Sequence, residues 1–279
     1  MQINMLGPLF AHENGISITP IARKPRQVFS LLALHAGAVV KVPTLIEELW
    51  GTQPPASALT TLQTYILQVR RGITVALGAS HNGPAKDVLR TCYGGYVLDV
   101  EPASTDVYAY ERLADAGKQA FERGRLEAAS SLYRQALGLW RGDALVDVHA
   151  GMRIDMEVAR LEESRLGVLE CRVETDLRLG RHASLLPELS ALTARHPMHE
   201  NLWAQFMIAL HRSGRTSQAL ETFIKLRRTL VSELGVEPSA RLQHLQHAIL
   251  RADPVIDRFG TESPALPATA LPTTATLGA

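Results

Sequence analysis

The sequence predicts a mainly α-helical chain that begins with a small β-containing part and continues as helices alone. Short apolar runs bounded by Gly and Pro occupy residues 3–22, as small antiparallel strands would. From about residue 106 onward, apolar positions recur at helical spacing and are separated by short turns with Gly, His or Pro. The 279 residues are enough for two folded parts. We place these parts at residues 1–102 and 103–252.

Three helices are predicted between the first strands and residue 77. Pro near the start and Gly at the end mark the first two, at Pro25–Gly37 and Pro43–Gly51. The third, Leu59–Ile73, is amphipathic, and its other face carries hydroxyl, amide and guanidinium groups without any carboxylate. Such groups hydrogen-bond base edges and phosphates, so we predict that this helix enters a DNA groove. Its apolar positions are Leu59, Leu62, Ile66, Val69 and Ile73.

A β-hairpin is predicted after the third helix. Apolar residues flank a turn at Gly94-Gly95, and the whole order of elements describes a winged helix, with one helix for the major groove and a hairpin for the adjacent backbone. Residues 1–100 hold eight Lys or Arg and five Asp or Glu, a net charge of +3 against −2 for the remaining residues. Because this surplus is small, useful affinity would need paired binding to a repeated site or a second DNA-bound protein.

Several segments of the chain resemble one family. Residues 31–40 (LLALHAGAVV), 45–51 (LIEELWG), 54–73 (PPASALTTLQTYILQVRRGI) and 93–100 (YGGYVLDV) resemble the OmpR-type winged helix of the Streptomyces antibiotic regulatory protein family. Residues 139–148 (LWRGDALVDV), 160–170 (RLEESRLGVLE) and 194–215 (ARHPMHENLWAQFMIALHRSGR) resemble its bacterial transcriptional activation domain. Within the family, these segments most resemble those of activators of aromatic polyketide antibiotic clusters.

The resemblance implies a sequence-specific transcriptional activator of a secondary-metabolite gene cluster. Such a protein binds direct repeats in double-stranded promoter DNA near the −35 region and recruits RNA polymerase holoenzyme, including its sigma factor. Self-association on DNA is a further expectation. Three alternatives stay open from the sequence: a repressor, a ligand-gated one-component regulator, and a helical adaptor without specific DNA binding.

The second part is predicted to be all-α and tetratricopeptide-like, because Gly-Arg turns separate helices in which small and aromatic residues alternate. Its function is either a protein-interaction surface or simple stabilisation. Residues 253–279 are rich in Pro, Thr and Ala and are predicted to form a disordered tail. The predicted helices are Val107–Arg123, Leu126–Leu139, Arg153–Leu179, Ala183–Arg195, Glu200–Arg212, Thr216–Leu234 and Ser239–Arg251.

Base reading is assigned to one stripe of the third helix, made of Thr61, Thr64 and Gln68. Many OmpR-type relatives carry Arg where Gln68 stands, and because Gln pairs with adenine, we expect a preference for A·T-containing steps. Trp50 has core spacing and is left out of the site.

The remaining candidates contact the DNA backbone or belong to the hairpin. Tyr65 is placed either on a phosphate or beneath the hairpin. The candidates for phosphate contacts are Arg26, Thr60, Tyr65, Arg70 and Arg71, and those of the wing are Arg90 and Tyr93.

An enzymatic function is not expected. The chain lacks the GxxxxGK[ST], GxGxxG, HExxH and GxSxG motifs, so we predict no catalytic residue and no cofactor. Its two cysteines form no metal-binding spacing, so no metal site is predicted. The sequence has no apolar run long enough to span a membrane, and its N-terminal residues lack the basic and apolar regions of a signal peptide. We therefore expect the protein in the cytoplasm, on the nucleoid.

Overall fold

The computed structural model describes residues 1–78, 83–253 and 256. The chain forms two compact units, Met1–Leu169 and Glu170–Ala279. This division differs from the predicted limit at residue 102, because the helices that follow the hairpin pack into the first unit. The prediction of a disordered tail falls, except for Asp253 and Ile256, outside the described residues.

A three-stranded antiparallel sheet opens the first unit, with β1 (Gln2–Asn4), β2 (Phe10–Glu13) and β3 (Ile16–Ser17) in that order. Ile3 of β1 lies opposite Ala11 of β2, and both side chains are buried because they share one face of the sheet. Asn14 and Gly15 form the β2–β3 turn with φ of 51° and 77°, as two-residue hairpin loops require. The predicted small sheet is thus confirmed.

Three helices complete the core of the winged helix: α1 (Arg23–Leu34), α2 (Val42–Trp50) and α3 (Ala58–Ala76). The periodic apolar residues of α3 from Leu62 to Ile73 are buried, as predicted, against Val28, Leu31 and Leu32 of α1 and Leu45 of α2 within one hydrophobic cluster. Leu59 differs from the prediction, because its side chain is 50% exposed. It belongs to the solvent side of α3.

The hairpin consists of β5 (Leu89–Cys92) and β6 (Gly95–Leu98), and β4 (Val40–Lys41) pairs with β6 to give the order β4-β6-β5. Its turn is at Tyr93-Gly94, one residue earlier than predicted, and Gly95 is the first residue of β6. A Cβ atom on Gly95 would lie 2.3 Å from the carbonyl oxygen of Val40, so the pairing with β4 requires glycine there. A short helix that was not predicted, α4 (Gly83–Val88), leads into the hairpin.

Helices α5 (Asp106–Glu122), α6 (Leu126–Gly138) and α7 (Met152–Arg178) follow the hairpin. α5 packs on α6, and Gly117 permits a close approach, since a Cβ atom there would lie 2.7 Å from the Tyr133 ring. The small-with-aromatic pairing expected of tetratricopeptide-like helices is present in this pair.

Asp106 and Asp147 connect the N-terminal sheet to residues that follow the hairpin. The Asp106 carboxylate accepts hydrogen bonds from the backbone N–H of Met5 (2.7 Å) and of Leu6 (3.0 Å). Burial raises the pKa of the Asp106 carboxyl, while these N–H groups and Arg141 act in the opposite direction. Asp147 accepts from the N–H of Leu9 at 2.7 Å.

Glu48 makes the corresponding connection from α2 to the start of α7. Its carboxylate is buried and accepts from the backbone N–H of Gly151 (2.6 Å), Arg153 (2.8 Å) and Ile154 (3.3 Å). The amide of Gln27 donates to it as well, at 3.0 Å. We call the three carboxylates Glu48, Asp106 and Asp147, together with residues 141–154, the polar joint. This joint explains why the first compact unit extends well beyond residue 102.

The second unit contains the end of α7 and four further helices: α8 (His182–Arg195), α9 (Glu200–Arg212), α10 (Thr216–Leu234) and α11 (Ala240–Arg251). α8 packs on α9, and α9 packs on α10. Gly180 and Gly214 end the preceding helices with φ of 77° and 76°, as the predicted Gly-Arg turns require. Within the described part of the chain, no helix is both long and apolar enough to cross a membrane.

Candidate nucleic-acid interface

From Thr60 to Arg71, the solvent side of α3 carries a continuous set of polar side chains with Leu67 among them. Residues three or four apart share a helix face, so the exposed positions form a band about two residues wide. We call this band the exposed α3 face: Thr60, Gln63, Thr64, Leu67, Gln68 and Arg71. The whole helix contains no Asp or Glu, so nothing on it would repel a phosphate backbone.

The polar groups of this face are available for an external partner. Across the described ranges, no hydrogen bond or ion pair joins the side chain of Gln68 or of Arg71 to another residue. Thr64 donates its hydroxyl proton to the carbonyl oxygen of Thr60 (3.1 Å), which leaves its oxygen able to accept. Thr61, which was predicted to read bases, is half-buried at the edge of the face, about two helical turns before Gln68.

Two members of the face, Gln63 and Leu67, were missed by the sequence analysis. Gln63 is one residue from the predicted Thr64 and is exposed. Helical spacing alone could have found it, because it lies three residues after Thr60, which was already a candidate. Leu67 was passed over because a leucine in an amphipathic helix is normally a core residue.

Arg70, one of the two adjacent arginines predicted to contact DNA, is bonded within the winged helix. Its guanidinium donates to the carbonyl oxygen of Leu89 from Nε (3.0 Å) and Nη2 (2.7 Å), and Nη2 also donates to Thr91 Oγ1 (2.8 Å). Burial lowers the pKa of this guanidinium. Since neighbouring residues of a helix point about 100° apart, Arg71 faces solvent while Arg70 holds the first strand of the wing against α3.

Arg26, predicted to contact a phosphate at the start of α1, is bonded within the first unit. Its Nη1 lies 2.7 Å from Asp147 Oδ2, and its Nε donates to the carbonyl oxygen of Pro20 at 2.9 Å. A guanidinium with two partners inside the first unit would have to break these contacts to reach a phosphate. We therefore assign Arg26 to the polar joint.

Tyr65 packs on α2 rather than beneath the hairpin. Its ring stacks on Trp50 with 6.5 Å between centroids and 23° between planes. Lys24 lies over the Trp50 ring, with Nζ 5.9 Å from its centroid. Trp50 is half-buried, so the prediction that it serves packing agrees with its position.

The two predicted wing residues are both at the surface. Tyr93 is fully exposed in the hairpin turn. Arg90 lies on β5 with its Nε 3.0 Å from Asp99 Oδ2, in an ion pair that is about half exposed and therefore weak. Both side chains can reach a surface beside α3.

A winged helix with an exposed helix face free of acids, followed by paired helices, is the architecture of a transcriptional regulator. Residues 105–250 match the family model of the bacterial transcriptional activator domain. The chain is 85% identical to the regulatory protein DnrI of Streptomyces peucetius, over 97% of this chain and 100% of DnrI. It is 33% identical to the transcriptional regulator RedD of Streptomyces coelicolor, over 92% of this chain and 72% of RedD.

The chain belongs to the Streptomyces antibiotic regulatory protein family, whose members regulate transcription for antibiotic biosynthesis. Its relatives are transcriptional regulators and not enzymes, which confirms that prediction. A solved structure of Mycobacterium tuberculosis EmbR in complex with a low affinity phosphopeptide matches with a TM-score of 0.85 at 29% identity, covering 93% of this chain and 67% of EmbR. This match confirms the predicted fold class, a winged helix followed by a helical domain.

Proposed function

We propose that this protein is a sequence-specific DNA-binding activator of an antibiotic biosynthetic gene cluster. It binds direct repeats near the promoter −35 region through its winged helix, and it recruits RNA polymerase holoenzyme, including the sigma factor, at the nucleoid. The observation that carries this proposal is the exposed α3 face, where amide, hydroxyl and guanidinium groups face solvent on a helix without a single carboxylate.

In this proposal α3 lies in the major groove. Gln68 can bond an adenine through both atoms of its amide, Thr64 accepts from or contacts a neighbouring base, and Arg71 reaches a phosphate. Thr60 and Thr61 border the groove, and Tyr65 supports α3 from the side through Trp50.

The wing is proposed to contact the backbone beside the groove through Arg90 and Tyr93. Its position relative to α3 is set by Arg70, whose guanidinium bonds two residues of β5. Arg70 is thus a positioning residue in the proposal, whereas Arg71 is a contact residue.

The weak charge of the winged helix favours assembly on repeats. A net charge of +3 over residues 1–100 neutralises few phosphates, so one copy binds weakly. When one copy or the polymerase is already bound at the promoter, it holds the next copy close to its repeat. The effective concentration of that copy is then high, and the overall affinity rises.

The helical second unit provides surface for a protein partner. An open groove of about 470 Å³ runs along α8, α9 and α10, and among its lining residues are Leu186, Phe206 and Lys225. Concave surfaces of this kind are the usual binding faces of stacked helix pairs. We propose that the helical part serves polymerase recruitment and not only stability.

An electrophoretic mobility shift with a promoter fragment of the cluster tests the proposal. We expect the chain to shift the fragment, and we expect RNA polymerase holoenzyme to increase this shift more than additively. The control is the same fragment with its repeats scrambled, on which the synergy should vanish. Mutual exclusion with holoenzyme would indicate a repressor, a shift only with added metabolite extract a ligand-gated regulator, and no shift in any condition a helical adaptor.

A further inference from the structure

Leu67 is an apolar side chain in the middle of the exposed α3 face. It is 38% exposed, while the core-facing residues of the same helix, such as Leu62 and Ile66, are at most 2% exposed. Thr64 lies one turn before it and Arg71 one turn after it, and both are exposed. A leucine at this position costs solvation in the free protein, and it is surrounded by the groups that the proposed function assigns to DNA.

The major-groove edge of DNA contains one type of apolar group. Adenine, guanine and cytosine present only hydrogen-bond donors and acceptors there, whereas thymine also presents its C5-methyl group. A leucine that covers this methyl removes apolar carbon of both partners from water, and that gain is absent at any other base.

We propose that Leu67 recognises a thymine through its C5-methyl group and is a specificity-determining residue of this protein. The inference rests on the proposed insertion of α3 into the major groove. Consecutive helical residues differ by about 1.5 Å along the axis, less than the roughly 3.4 Å rise of one base pair. Leu67 and Gln68 are both members of the exposed α3 face, so we expect the thymine within the same few base pairs as the adenine read by Gln68.

The experiment uses the full chain and a duplex that it selects from a random-sequence library. Each thymine of the selected duplex is replaced in turn by deoxyuridine, which removes the methyl group and keeps the base pairing. We expect one position at which this change weakens wild-type binding about fourfold, the effect of losing one buried methyl group. Leu67→Ala should bind the thymine duplex more weakly and should show no further loss at that position.

Two variants serve as controls. Val75→Ala removes another exposed apolar side chain of α3, about 12 Å further along the helix axis, and it should keep the full fourfold sensitivity. Leu67→Met keeps an apolar side chain of similar volume and should restore the sensitivity that Leu67→Ala loses. Unfolding of both Leu67 variants is measured alongside, so that a loss of stability is separated from a loss of binding.

The outcomes separate this inference from the proposed function. A fourfold methyl effect that persists in Leu67→Ala would overturn the role of Leu67, and so would a selected duplex with no methyl-sensitive thymine. In both cases specific DNA binding itself would stand. If the library yields no enriched sequence, the proposed function fails and the inference fails with it.

Discussion

The exposed α3 face and the polar joint use similar polar groups in opposite ways. In the joint, Glu48 is saturated by three backbone N–H groups and one amide, and Arg26 has two partners inside the first unit. On the α3 face, the side chains of Gln68 and Arg71 bond to none of the residues that the structure describes. Charges and amides satisfied within the chain fix its geometry, whereas those left facing solvent are the ones that a partner can use.

Arg70 shows that position on the helix decides which of these two uses applies. It is adjacent to Arg71 in sequence, yet its guanidinium donates hydrogen bonds to Leu89 and Thr91 of the wing. Single substitutions in each region test this difference.

The largest effect is expected from Glu48→Ala in the polar joint. The substitution removes a buried carboxylate and leaves the N–H groups of Gly151, Arg153 and Ile154 without their acceptor, so we expect the free energy of unfolding of the first unit to fall by about 3–4 kcal/mol. Urea unfolding followed by far-UV circular dichroism measures this loss.

The neighbouring residue offers the matched control for Glu48. Glu47 pairs with Arg153 in an ion pair that is about 40% exposed on both sides, so Glu47→Ala should cost less than about 1 kcal/mol. Equal losses for the two variants would show that the joint is no more than a surface contact.

Gly151→Ala is expected to destabilise the joint by about 2–3 kcal/mol. A Cβ atom at residue 151 would lie 2.3 Å from the backbone oxygen of Glu48, which belongs to a helix and cannot move freely. Gly138→Ala at the end of α6 meets nothing within 4 Å and should be neutral or stabilising by under about 1 kcal/mol. Thermal unfolding of both variants decides, and an unchanged melting temperature for Gly151→Ala would contradict this close approach.

Gln68→Ala should leave stability unchanged and weaken specific binding by about 2 kcal/mol, if its amide bonds a base through both atoms. Binding to random-sequence DNA should change much less, because the base contact contributes nothing there. Titration of the selected duplex and of a random duplex gives both values. The same loss on both would refute base reading by this side chain.

The smallest expected effect is that of Arg71→Ala, which should weaken binding to every sequence alike. Loss of one phosphate contact reduces the slope of log affinity against log salt by about 0.9. Arg26→Ala is the contrasting variant, because its guanidinium is bound to Asp147, and its salt slope should equal that of the wild type. If Arg26→Ala lowers the salt slope and Arg71→Ala does not, the assignment of the two arginines is wrong.

Local sequence signals predicted most of the helical elements. The observed limits of α9 and α10 coincide with the prediction, Glu200–Arg212 and Thr216–Leu234, because Gly214 with its positive φ ends one helix and resets the next. The fold class could be predicted for a related reason: periodicity and turn residues show the order of short strands, three helices and a hairpin, which the structure has.

The partners of Arg26 and Glu48 could not be predicted in this way. Asp147 is 121 residues from Arg26 and Gly151 is 103 residues from Glu48, and no periodic pattern reports on pairs so distant. For the same reason the polar joint was missed and Arg26 was assigned to DNA. Leu59 was placed on the apolar face although it is half exposed, and Leu67 was assigned to neither face, because periodicity defines a face only approximately at its edges.

The link between Glu48 and the start of α7 bears on how family members can be recombined. A chimaera spliced after residue 102 would join α2 of one parent to the Gly151–Ile154 segment of another, and Arg26 to a foreign residue 147. A crossover beyond residue 154 carries these pairs together from one parent. Promoter preference is therefore best transplanted with the first two helices of the helical part attached.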